Sequence, residues 1–99
     1  MRTTHADHHF SITVRCDDLA AVGCLRAIAQ YCQTTGNARI AWGHTKEPDW
    51  RRAGKKVTFH FSQREYRVQF KEVAPRVLRD GLFAVESERD DDPATPADE

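Results

Sequence analysis

Val57-Thr58-Phe59-His60-Phe61-Ser62-Gln63-Arg64-Glu65-Tyr66-Arg67-Val68-Gln69-Phe70 is the stretch on which the fold turns. Val57, Phe59 and Phe61 alternate with Thr58 and His60, and Tyr66, Val68 and Phe70 alternate with Arg67 and Gln69, the period of two expected of half-buried strands. A four-residue loop at 62–65 closes them into a hairpin in which Phe61 faces Tyr66, Phe59 faces Val68 and Val57 faces Phe70. Every apolar pair then shares a side, which fixes the register. On the other side His60 lies opposite Arg67, Thr58 opposite Gln69 and Lys56 opposite Lys71.

Working toward the N-terminus, 44–55 breaks all periodicity with Pro48, Gly54 and mixed charge, and reads as a long exposed loop of the kind that carries function. Before it, Ala38, Ile40 and Trp42 alternate with Arg39 and Ala41, so 37–43 is expected as a strand. A helix is expected over 18–34, because Ala21, Val22, Cys24, Leu25, Ile28, Ala29 and Cys32 share one side of a helical wheel. Asp17 offers its N-cap and Gly36 its terminator. Phe10, Ile12, Val14 and Cys16 alternate with Ser11, Thr13 and Arg15 as a first strand. Strand, helix, strand fits a right-handed parallel crossover.

Downstream, 72–81 is ambiguous. Pro75 suits the first turn of a short helix ending at Gly81, whereas Asp80-Gly81 also signals a hairpin. The helix is preferred, followed by a strand over 82–86. The resulting fold class is α+β: a two-layer sandwich of a mixed four- or five-stranded sheet with one long helix on one face, in the order β-α-β-β-β-(short α)-β. Residues 10–88 form one domain, 1–9 a flexible arm and 89–99 a disordered acidic tail.

Composition narrows function without naming it. The 99 residues are 39% hydrophobic and 30% charged. No apolar run reaches the roughly 18 residues of a spanning helix. Residues 1–10 lack the apolar core of a signal peptide, so no membrane partner and a cytoplasmic location are expected. Formal charge is zero, yet 1–79 carry fourteen basic and seven acidic residues, while 80–99 carry one and eight. A body of net +7 is joined to an end of net −7.

The three cysteines, Cys16, Cys24 and Cys32, fall on apolar sides and read as buried thiols. His5, His8 and His9 cluster, but without the four-ligand spacing of a structural metal site. No nucleophile sits near a base, no carboxylate pair stands apart and no glycine-rich phosphate loop exists, so neither an enzyme nor a cofactor is expected. RNP aromatics, a GXXG loop and a zinc knuckle are absent from the sequence.

One thin helical layer leaves the far face of the sheet open. The alternation puts Arg15, Arg39, Lys56, His60, Arg67 and Lys71 there, and Trp50, Arg51, Arg52 and Lys55 extend it from the loop. Cations with an aromatic among them suit phosphates and a stacked base. The expectation is a non-catalytic binding or regulatory module that engages RNA, DNA or a nucleoprotein through this face and the 44–56 loop, with the acidic tail screening it when free. The alternative is a protein-binding module, such as an inhibitor, an adaptor or a homodimer using an edge strand or Trp50.

Overall fold

The computed structural model describes residues 4–35, 40–41, 47–78 and 81–94, with the Asp49 side chain left aside. β1 (Phe10–Arg15) leads into α1 (Leu19–Cys32), then α2 (Glu47–Arg52), β2 (Lys56–Phe61), α3 (Arg64–Val77) and β3 (Ala84–Arg89). Among the described residues the strands form one three-stranded sheet in the order β2-β1-β3, antiparallel throughout. Since β2 and β3 both oppose β1, they run parallel to each other, with α3 connecting them across the central strand.

The first strand and the first helix stand close to where the sequence puts them, but the cap is Asp18 and not Asp17, because its carboxylate reaches the Ala20 amide. The helix ends at Cys32, and the expected terminator Gly36 lies outside the described residues. Ile12 and Val14 are buried on the helix side of β1. The Asp18 carboxylate caps α1 by accepting from the Ala20 amide at 2.9 Å, and the inward stripe is Val22, Leu25, Ala29 and Cys32. Cys24 is a correction: it lies at the margin of that stripe and faces solvent, while Cys16 and Cys32 are buried. Burial pushes the Cys32 thiol up to about 11. At the end of α1 the buried Gln33 amide donates to the Thr35 carbonyl and the Ser62 hydroxyl and accepts from the Ser62 backbone N–H, which ties α1 to the start of α3.

The sheet is smaller than expected and differently paired. Ile40 and Ala41 are helical, and both are buried, which a half-buried alternating strand does not allow. The rest of the expected 37–43 strand lies outside the described residues. The larger correction concerns 66–71. These residues belong to α3, a fourteen-residue helix, and not to the return strand of a hairpin. The partner of β2 is β1, in the register Phe10 to Phe61, Ile12 to Phe59 and Val14 to Val57.

Phe70 therefore meets Phe59 and Phe61 from above the sheet, with ring centroids 5.1 and 5.6 Å apart. Arg67, Phe70 and Ala74 face inward at helical spacing, and Val68, which a strand would bury, is exposed. The preferred short helix over 72–81 is thus the end of a longer one. Pro75 sits inside its final turns, on the solvent side, where its missing N–H costs one hydrogen bond. The final strand falls at 84–89 instead of 82–86. Leu82 and Phe83 pack against the core before it, and all six residues of β3 are exposed.

The molecule is a small two-layer α+β domain with α1 and α3 on one face of an antiparallel sheet. Among the described residues no helix is long and apolar enough to cross a membrane.

Candidate anion-binding surface

The polar face of the sheet follows from the registers. Residues directly opposite on antiparallel strands share a side. Ser11, Thr13 and Arg15 therefore stand with His60, Thr58 and Lys56 of β2 and with Arg89, Ser87 and Ala84 of β3. Thr13 and Thr58 are joined by a 2.7 Å hydroxyl hydrogen bond at its centre.

One end of this face is basic, and Cys16 is the junction that builds it. Its N–H donates to the Lys55 carbonyl at 2.9 Å, and its own carbonyl accepts from the Trp50 indole N–H at 2.9 Å. The expected 44–56 loop is thereby organised around α2. The chain leaves α2 by a Schellman turn: the Lys55 N–H returns to the Trp50 carbonyl at 2.8 Å and the Gly54 N–H to the Arg51 carbonyl at 3.3 Å. Gly54 takes φ +72 without penalty, and Lys55 follows at φ +63. A left-handed conformation costs a residue with a side chain about 1–2 kcal/mol.

The turn and the junction gather Arg15, Arg51, Arg52, Lys55 and Lys56 at one corner, all exposed. Trp50 lies beneath them at 2% exposure, so it is a core residue and not a stacking platform. The Arg51 guanidinium and the Lys55 ammonium stand 5.7 and 6.0 Å from its ring centroid, attracted to the π face. Arg15 and Lys56 are directly opposite in the register, an arrangement of like charges that destabilises a sheet. The nearby acids are partly committed: Glu47 pairs with Arg51 at 2.7 Å, and Asp18 caps α1. Asp17 is exposed.

The other expected site residues lie elsewhere. Arg67 and Lys71 belong to α3, in the layer opposite the polar face, because 66–71 is helical. Arg67 is buried to 7% exposure. Its Nη1 donates to the carbonyls of Arg89 (2.9 Å) and Ser11 (3.4 Å), and its Nη2 meets Asp90 at 2.7 Å. Its Nε lies 3.2 Å from a Glu88 oxygen but is not aimed for a hydrogen bond. Lys71 pairs with Glu88 and Arg64 with Asp90. The hydrogen bond from Arg67 holds the Asp90 carboxyl below its ordinary value, helped by the charge of Arg64.

His60 does lie on the polar face, at the end away from the corner, and is half-buried. Arg39 lies outside the described residues. Arg89 joins the polar face though the sequence reading assigned it to the tail. Only its pairing with Ser11 reveals this, and no local pattern announces that pairing.

Among the described residues no group of three His, Cys, Asp or Glu side chains is placed to hold a metal ion. Comparison of the chain with protein-family models, curated proteins and solved structures returns no match.

Proposed function

We propose that this protein is a small non-catalytic binding module that engages nucleic acid through the basic corner formed by Arg15, Arg51, Arg52, Lys55 and Lys56. The observation that supports the reading most is local cost concentrated in one place. Arg15 opposes Lys56 across the ladder, and beside them Lys55 holds a left-handed backbone. An unfavourable charge pair and backbone strain, kept together on an exposed surface, suit a site whose counter-charge comes from a ligand. Phosphates supply that charge in series. The tethered cations would contact the backbone, and the buried Trp50 would take no part in reading bases.

The test separates binding from folding. Lys55→Gly relieves the positive φ, and Lys56→Glu turns the like-charge pair with Arg15 into an opposite one. The double variant should therefore match or exceed the parent in stability, by up to about 1 kcal/mol in urea unfolding. It should also lose affinity for a short single-stranded RNA or duplex DNA followed by fluorescence anisotropy. Parent affinity should fall steeply between about 50 and 200 mM salt as counterions are released. Parent protein that binds neither probe at low salt overturns the reading.

A second reading rests on β3, whose six exposed residues include Val85 at 44% exposure. An open strand edge can add a strand from a partner protein. Antiparallel pairing of two copies of β3 centred on Glu86 sets that acid against its own copy, whereas pairing Ser87 with Glu88 sets Glu86 against Arg89, so only particular registers would let this edge self-associate. Under the second reading, binding to a partner survives the Lys55→Gly, Lys56→Glu double variant and is lost when Val85 is replaced by proline.

A further inference from the structure

The two ends of the described chain meet over the inner half of the polar face. The Asp92 N–H donates to the His9 carbonyl at 2.9 Å and the Ala94 N–H to the His8 carbonyl at 3.0 Å. His9 Nδ1 donates to the Asp90 carbonyl at 2.7 Å, and His8 Nδ1 to the Thr4 carbonyl at 2.8 Å. Beneath them His60 Nε2 stands 3.6 Å from an Asp92 oxygen. His8, Ser11 and Ala94 are buried where the two segments meet, whereas Arg15 and Lys56 at the other end of the polar face are exposed. Three imidazoles thus line the seam along which the N-terminal and C-terminal segments join.

From this geometry we infer that the two segments form a clasp that protons release: closed at neutral pH, it opens in mild acid and adds His60 and Ser11 to the anion-binding surface. The second half of the inference rests on the reading given under Proposed function, and the first half does not.

The charged and titratable groups that face His60 are Asp92 from the C-terminal segment and His8 from the N-terminal one. Its neighbours along and across the face, Thr58 and Ser11, are neutral, and Arg89 stands one strand beyond Ser11. Burial is the strongest influence and holds the His60 imidazole below its ordinary value of 6.5; Asp92 opposes that shift and His8 reinforces it. The sign follows. A histidine that resists protonation when covered contributes to the closed form above its ordinary value, and that contribution is lost as pH falls through it toward the lower value of the covered ring. Once uncovered, a protonated His60 lies in line with Lys56 and Arg15, on the face where an anion would bind.

The experiment is native-state hydrogen exchange of the Asp92 and Ala94 amides, corrected for intrinsic rates, at about pH 7.5 and about pH 5.5, on either side of the histidine range. Protection should fall several-fold at the lower pH in the parent chain and stay level in His60→Gln, whose amide fills the site without titrating. Asp92→Asn, which removes the carboxylate that favours the protonated ring, should lose more protection in acid than the parent does. Equal protection at both pH values, or an equal loss in His60→Gln, overturns the clasp.

Anisotropy with the single-stranded RNA probe then tests the consequence. Affinity should rise in acid for the parent and not for His60→Gln. A clasp that opens without that gain overturns the link to anion binding. No binding at either pH overturns the functional reading and leaves the exchange result standing.

Discussion

Trp50→Ala should unfold the domain or bring it close to unfolding, with a loss of about 3–5 kcal/mol in urea denaturation. The indole is the largest side chain at the point where α2, the end of β1 and the start of β2 converge, and its N–H satisfies the Cys16 carbonyl. Small domains hold only about 5–15 kcal/mol in reserve. Trp50→Phe keeps most of the buried volume and gives up the hydrogen bond, so it should cost about 1 kcal/mol. Trp50→Phe should also retain full affinity for nucleic acid. If it binds far more weakly while remaining folded, the indole touches the ligand and its assignment to the core is wrong.

Arg67→Ala should cost about 2–3 kcal/mol, an unusually large effect for a basic residue in a small domain. One guanidinium donates to two backbone carbonyls, on β1 and at the end of β3, and to the Asp90 carboxylate, and its charge lies 3.2 Å from Glu88. Glu88 and Asp90 retain partial access to water, which keeps the figure below that for a fully buried pair. Lysine supplies one point charge and not a planar fork, so Arg67→Lys should recover little. The midpoint of chemical denaturation measures both variants. A loss under about 0.5 kcal/mol for Arg67→Ala would mean that β3 is held by its ladder to β1 alone.

How much of this was legible in the sequence depends on how many residues stood behind each pattern. α1 was readable as a helix because four turns of apolar spacing admit no second element type, although Cys24 and the cap residue were misassigned. β1 was readable because its alternation is unbroken and an N-cap follows. The stretch from 57 to 70 misled because two readings fitted it equally well by apolar count. Tyr66, Val68 and Phe70 alternate, but Tyr66, Phe70, Val73 and Ala74 also recur at helical spacing.

Ser62-Gln-Arg-Glu65 has the serine-to-glutamate spacing of a helix start, although the helix begins after Gln63 without a side-chain cap and Ser62 bonds Gln33 instead. Giving that local signal precedence over the apparent hairpin register would have placed Arg67 and Lys71 on a helix and out of the binding face. The basic corner was named residue by residue. Its geometry was hidden because Cys16, Trp50 and Lys55 are brought together only by tertiary hydrogen bonds. The acidic tail is expected to screen the basic face, not to pair with a helix. No composition rule shows that Glu88 and Asp90 have arginines waiting on α3.

The position of β1 at the centre of the sheet sets the order in which this chain can become a protein. β1 needs both neighbours to satisfy its backbone N–H and C=O groups, and both lie far along the chain: Phe10 waits for Phe61 and Ser11 for Arg89. Such distant pairings carry a high entropy of closure and slow the search for them. The sheet of this domain therefore closes late, when β3 reaches β1, and until then the central strand is paired along one edge at most.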